Sequence, residues 1–221
     1  MPVSAGNPAR AAVEFFFDCS CPWSYLALGR LQEAAIRTGA RIVYRPVWLA
    51  EINRNAAMNQ AGRQDDLSAA RQRYRSKDLQ DWARFCGVPL REPDFEYAET
   101  GWAQRGAIVA LRAGCVVGYL DGIYRARFAE QRDISQPMDV TEVAENAGLD
   151  AKQFAAALGA PDTLDELREN AARLLEYGGF GTPTMLVGTD LYFGNDRMPL
   201  VEIALARAGG MRLVMPGEHG R

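Results

Sequence analysis

Apolar residues fall in two rhythms along the 221-residue chain: short continuous runs near its two ends and a 3.6-residue period between them. Val13–Phe17 (VEFFF) is a run suited to a buried strand. Pro22 then suits a helix start, because its fixed φ matches a first turn and its missing N–H is not needed there. That helix extends to about Arg37, with Leu28, Leu31 and Ala35 on one stripe and Gly39 closing it, and Arg41–Trp48 returns as a strand. From about Ala50 to Tyr177 the period is helical, predicting helices over Gln64–Phe85, Trp102–Val117, Asp121–Ala129, Val140–Ala147 (capped by Asp139 or Thr141), Ala151–Leu158 and Thr163–Tyr177. Thr184–Val187 and Leu191–Phe193, joined through Gly188-Thr189-Asp190, read as a hairpin. A last helix, about Asp196–Ala208, can be capped by Asn195 and would turn Leu200, Ile203 and Ala204 inward.

The order is β-α-β, a long helical stretch, then β-β-α. Neither sheet fragment is stable alone, so the two are expected to join in one four-stranded mixed sheet. The predicted class is α/β, a mixed sheet interrupted by a large all-helical insertion. Its parts are residues 12–49, the insertion 50–177, the second half 178–209 and a tail 210–221.

Composition narrows the chemistry. With 48% hydrophobic residues the chain can bury a full core without staples. The net charge of −3, with both signs scattered, provides no electrostatic footprint for nucleic acid. Arg71, Arg73, Arg75 and Lys77 are expected to be a solvated helix face. No apolar run approaches the ~20 residues a membrane span requires. The N-terminal stretch lacks a basic start followed by an apolar segment, so no signal peptide is predicted and the expected location is the cytoplasm. Thiols stay reduced there, and the cysteines at 19, 21, 86 and 115 are not expected to form a disulfide framework. One Cys-x-Cys without a second ligand pair argues against structural zinc, and the single histidine, His219, argues against Ser-His and Cys-His hydrolases.

What remains is a thiol at a strand-to-helix junction, in Cys19-Ser20-Cys21-Pro22-Trp23-Ser24. A free cysteine has a pKa of about 8.5, whereas cysteines at helix N-termini reach about 3.5–7.5. Cys21 is therefore the best nucleophile candidate, expected to be largely thiolate, with Ser24 one turn on able to donate to its sulfur. The competing reading of Cys21 is a small buried hydrophobe. Cys19 is read as packed at the strand end or as an oxidation-sensitive neighbour, while Cys86 and Cys115 are read as packed, the latter on a stripe with Ile108 and Leu111.

Cys-Pro-Trp-Ser after a first strand and Gly181-Thr182-Pro183-Thr184 before a later one resemble the thioredoxin superfamily, and the helical insertion resembles its DsbA-like branch. "FFFDCSCPWSYLAL", "RYRSKDLQDWARFCGVP", "GGFGTPTMLV" and "YFGNDRM" are similar to the 2-hydroxychromene-2-carboxylate isomerase and kappa-class glutathione transferase group, over roughly residues 13–208. The resemblance implies a cis bond before Pro183 facing the thiol, and glutathione as cofactor. Thr182 would pair with its cysteinyl backbone, and Asn195 and Asp196 would hold its γ-glutamyl end; for the last two, simple helix capping is the competing reading. It also implies help from the helical region, with Asn53, Arg54 and Lys77 as candidates. Trp23, Trp48, Tyr74 and Trp82 are candidate linings of a pocket for a small-molecule substrate, or else core. Homodimers are usual in the group.

One departure stands out. The group usually has serine where this chain has Cys21, and a thiol is a poorer hydrogen-bond donor than a hydroxyl. Either Cys21 stays protonated beside glutathione or it forms a mixed disulfide with it. The first alternative implies a glutathione-dependent isomerase or transferase acting on an aromatic-derived unsaturated carbonyl compound. The second implies a monothiol thiol–disulfide oxidoreductase. A binding protein without turnover would carry the same residues.

Overall fold

The computed structural model describes residues 10–48, 69–91 and 100–211. Strand β1 (Ala12–Phe17), helix α1 (Pro22–Thr38) and strand β2 (Arg41–Pro46) open the fold, and β3 (Thr184–Val187), β4 (Asp190–Phe193) and α8 (Met198–Ala208) close it. The described α-helices between them are α2 (Ala69–Cys86), α3 (Gly101–Arg112), α4 (Val116–Tyr124), α5 (Pro137–Asn146), α6 (Ala151–Leu158) and α7 (Pro161–Glu176), with a π-helical turn over Arg125–Ala129 continuing α4.

The four strands form one sheet in the order β2-β1-β3-β4. β1 runs parallel to β2, with Ala12 opposite Arg41 and Phe17 opposite Pro46, and antiparallel to β3, with Glu14 opposite Leu186. Segments more than 160 residues apart thus share a ladder, as the two apolar runs predicted.

Alternation along β1 sends its side chains to two cores. Val13, Phe15 and Phe17 join the main core with Leu28 and Leu31 of α1 and Val201 and Leu205 of α8. Phe16 faces the other way, against Leu186 and against Ala171 and Leu174 of α7. The Glu14 carboxylate on that second face accepts from Arg173 Nε at 2.7 Å and Arg45 Nε at 2.9 Å. These guanidiniums hold its pKa below the ordinary value despite partial burial, the Arg173 contact first. Tyr25 of α1 stacks on Tyr124 at 5.3 Å and Phe128 at 5.8 Å, joining the sheet half to the helical half.

Four expectations are corrected. The helix predicted over Trp102–Val117 ends at Arg112, because Gly114 takes a left-handed φ of 75° and a new helix starts at Val116. Cys115 accordingly leaves the Ile108–Leu111 stripe, caps α4 and is only half-buried. Helix α5 starts at Pro137 after Gln136, so neither Asp139 nor Thr141 is its cap. In α8 the buried positions are Met198, Val201, Leu205 and Ala206, while Leu200 is 50% exposed and Ile203 and Ala204 are half-buried. A 3₁₀ turn over Asn195–Arg197 precedes α8 and rotates its stripe away from that expected for a helix begun at Asp196.

Candidate active site

The turn from β1 into α1 is built on Asp18. Its carboxylate is fully buried and accepts from Ser20 N at 2.7 Å, Ser20 Oγ at 2.6 Å and Gln104 Nε2 of α3 at 2.7 Å. Its carbonyl accepts from Cys21 N at 3.0 Å and from the Tyr124 hydroxyl at 3.3 Å. A buried carboxylate is stable only with such donors around it. The loop that carries the thiol is therefore anchored to two helices of the helical half. An acidic residue directly after an apolar strand was a visible signal, but no sequence spacing could pair it with Gln104.

Cys21 is the N-cap of α1, with extended backbone (φ −90°, ψ 112°) and Pro22 in the first turn. Its side chain makes no capping hydrogen bond. Instead the S–H donates to the carbonyl oxygen of Thr182 at 3.3 Å, and the Thr182–Pro183 peptide is cis. Cys21 is only 7% exposed. Burial pushes the thiol pKa up, and contacts with Thr182 and Ser24 offset this only in part. The expected thiolate is thus corrected. The S–H is seated on a carbonyl oxygen, and the helix N-terminus does not outweigh the loss of water around the sulfur. Ser24 is fully buried beneath it, and its Oγ accepts from Asp18 N at 3.5 Å. Cys19 is wholly buried, and burial followed by the Asp18 charge raises its pKa well above the ordinary value.

Beside the thiol loop lies a cleft of about 420 Å³. Trp23 of α1 and Tyr74, Asp78 and Trp82 of α2 line one side; the last three recur every four residues on one helix face. Thr182 and Pro183 line the other side, with Phe193 and the turn Gly194–Asp196. Gly194, at φ 104°, makes that turn possible, and its N–H donates to Pro183 O at 2.9 Å.

Asn195 is 1% exposed, and the capping role considered for it is not what its side chain does. Its backbone carbonyl and its Oδ1 both accept from Arg30 Nη1, at 2.7 and 2.9 Å, and its Nδ2 finds no partner among the described residues. The Thr182 hydroxyl is likewise buried without a hydrogen bond. Asp196 is about half exposed and pairs with Arg197 at 2.8 Å. Two buried polar groups left unpaired on the walls of one cleft mark a place where an occupant would complete the hydrogen bonding.

The structure therefore gathers Trp23, Tyr74, Trp82, Thr182, Pro183, Asn195 and Asp196 around one cleft next to Cys21 and Ser24. Asp78 and Phe193 are further lining residues that were not anticipated, and Arg30 contacts two of the lining residues, Asn195 and Trp82, without lining the cleft itself. Two candidates are placed elsewhere. Trp48 lines a separate cleft of about 500 Å³ with Trp102 and Arg105, packed on Gly101, where a Cβ would lie 3.2 Å from its ring. Lys77 is exposed on α2 and pairs with Asp81 one turn on, a local i,i+4 contact that keeps it off the cleft. Asn53 and Arg54 lie outside the described residues. Among the described residues no group of three or more His, Cys, Asp or Glu could hold a metal ion, and no helix is long and apolar enough to cross a membrane.

Comparison with known proteins agrees with this architecture. The family model for the DSBA-like thioredoxin domain matches residues 12–206. The chain is 28% identical to a 2-hydroxychromene-2-carboxylate isomerase from Sphingobium xenophagum over 190 residues, 86% of this chain and 95% of the relative. It is 26% identical to glutathione S-transferase kappa 1 from Rattus norvegicus, over 90% of this chain and 92% of the relative. A solved structure of 2-hydroxychromene-2-carboxylate isomerase superposes with a TM-score of 0.71 at 28% identity, covering 89% of this chain and 95% of the other. The chain belongs to the DSBA-like thioredoxin domain family.

Proposed function

We propose that this member of the DSBA-like thioredoxin domain family is a glutathione-dependent isomerase, or a kappa-type transferase, acting on an aromatic-derived unsaturated carbonyl compound. The observation that carries the proposal is the buried Cys21 thiol, seated on Thr182 O beside a cleft with aromatic walls and two unpaired polar groups. The relatives named isomerase and kappa transferase support it from a second direction.

The residues fit glutathione by their chemistry. Asn195 Nδ2 is an unpaired donor suited to a carboxylate, and Asp196 and Asp78 supply the negative charge an α-ammonium group needs. Thr182 offers a backbone carbonyl and an unpaired hydroxyl beside the thiol. When bound, glutathione would supply a nucleophilic thiol for the unsaturated carbonyl. Cys21, whose S–H rests on Thr182 O, would be the residue to donate to that sulfur and favour its anion. Thr182 O would then be an acceptor open to an N–H of the cofactor backbone. Trp23, Trp82 and Tyr74 present flat apolar faces to an aromatic substrate and keep water from the reacting bond. Asp18 acts only through position, holding the thiol loop on Gln104 and Tyr124.

The monothiol oxidoreductase reading rests on the same Cys21. Exchange needs a thiolate, and the burial that raises this pKa weighs against it. The proposed enzyme works in the cytoplasm and pairs as a homodimer. Segments 12–49 and 178–209 carry the thiol and cofactor turns, and segment 50–177 supplies the aromatic wall.

The test is calorimetric titration of the fully reduced protein with reduced glutathione, beside Asp196→Ala. Saturable binding that the variant weakens at least tenfold supports the proposal. Absence of binding together with rapid alkylation of Cys21 at neutral pH overturns it in favour of disulfide exchange.

A further inference from the structure

We propose that Arg30, on α1, is a positioning residue that fixes which end of the Asn195 amide the cleft presents, so that the site selects an anionic oxygen at that point. The identity of that oxygen as the γ-glutamyl α-carboxylate of glutathione rests on the proposed function; the orientation of the amide does not.

Donors and acceptors fix the orientation of the amide. Amide oxygen and nitrogen are alike in shape, so an asparagine can present either end. A guanidinium has donors only. Arg30 Nη1 lies 2.7 Å from the Asn195 carbonyl oxygen and 2.9 Å from the side-chain amide, so the amide atom facing it must be oxygen. The other end is therefore the NH₂ group, and this is the group that is buried without a partner in a residue lining the cleft. A flipped amide would set NH₂ against a cation and turn a carbonyl toward the ligand, which would repel a carboxylate.

Arg30 is itself held in place. Its guanidinium lies over the Trp82 ring at 5.1 Å and over the Phe85 ring at 5.5 Å, both on α2. Trp82 lines the cleft on the side opposite Asn195. One planar cation thus bridges the two walls, stacking on one and hydrogen-bonding the other. Lysine could keep the charge and one hydrogen bond but could not stack and fork in this way. The sequence pattern contains no hint of the role, because Arg30 reads as an ordinary polar position on an amphipathic helix.

The test compares two ligands by calorimetry: glutathione, and the analogue γ-aminobutyryl-cysteinyl-glycine, which lacks only the α-carboxylate. The native protein is expected to prefer glutathione by about tenfold, the scale of one hydrogen bond to a charged group. In Arg30→Met, where the amide is free to turn, the preference is expected to fall below about threefold, with Arg30→Lys between the two. A merely structural loosening would weaken both ligands together and leave the ratio alone. An unchanged ratio in a folded Arg30→Met protein therefore overturns the proposal while the glutathione reading stands. If Arg30→Met does not fold, Arg30→Lys carries the same comparison.

A readout without ligand covers the case in which glutathione does not bind, an outcome that overturns the functional reading. The side-chain ¹⁵N–¹H pair of Asn195, identified by its loss in Asn195→Asp, is expected to move or broaden in the Arg30 variants. If it stays in place, Arg30 does not hold the amide and the proposal fails.

Discussion

Replacing Cys21 by serine separates the two chemistries this site could perform. The substitution keeps a donor at the N-cap of α1 and exchanges a weak S–H donor for a hydroxyl. In the native protein the S–H reaches Thr182 O at 3.3 Å within a site 7% exposed, so the smaller oxygen fits without strain. Losing the larger sulfur leaves a small void, worth under about 1 kcal/mol. Toward a bound thiolate the gain runs the other way. A hydrogen bond to a charged group is worth about 1.5–3 kcal/mol, and a thiol supplies only part of that. A net gain of about 1 kcal/mol, about fivefold in rate, is expected if the donor acts on the charge of the transition state. The assay is turnover of an α,β-unsaturated aryl ketone at saturating glutathione, with melting temperature and glutathione affinity as controls. Activity in Cys21→Ser equal to or up to about fivefold above native agrees with donor chemistry. A fall of more than about tenfold, with fold and affinity intact, refutes it and makes the sulfur a nucleophile.

Two predictions concern stability. Cys19 and Cys21 both have folded-state pKa values raised by burial, so each contributes stability that is whole below the unfolded thiol pKa of about 8.5. That contribution is lost as pH rises from there through the folded values. The melting temperature should therefore drop above pH ~8.5, and Cys19→Ala should flatten the drop; an unchanged slope would mean Cys19 does not contribute. Glu14 is the opposite case. Its pKa is depressed by Arg173 and Arg45, so its contribution is present above the unfolded value of about 4.3 and is lost as pH falls through the folded value. Glu14→Gln should cost about 1–2 kcal/mol in urea unfolding at pH 7, discounted for partly exposed arginines. The difference should vanish in acid, and a cost that persists at pH 3 would point to packing instead.

The sheet was legible because a parallel-sheet strand needs a continuous apolar run and the chain has few of them. Val13–Phe17 and Thr184–Val187 could only be buried by lying together, and they pair through Phe16 and Thr184. The helices were legible as a region but not at each boundary. Apolar periodicity runs on through Ala113–Cys115, and only the left-handed Gly114 breaks it. A glycine is compatible with a helix interior as well as with a stop. The same limit misplaced the buried stripe of α8. The 3₁₀ turn that begins at Asn195 follows from the Gly194 bend and the Arg30 contact, and both involve tertiary partners that no local pattern encodes.

The site divides along the same line. Residue types were readable where a motif is local: the Cys-Pro junction, the Thr-Pro segment, the Asn-Asp turn. Their electrostatics were not, and the thiol shows why. Sequence places Cys21 at a helix start, where N–H groups favour an anion, and from that the thiolate follows. Realising the effect requires those N–H groups to outweigh the loss of water around the sulfur. The Asp18 loop, tied to Gln104 and Tyr124 from the helical half, instead seats the side chain against Thr182 and shuts out water. Desolvation then outweighs the favourable contacts, and the proton stays. The contacts that seat this loop and its thiol span 86 positions and more along the chain. It follows that loosening Asp18 should do more than destabilise the loop: by letting water reach the Cys21 sulfur it should move the thiol toward the anion, read as faster alkylation of Cys21 at neutral pH.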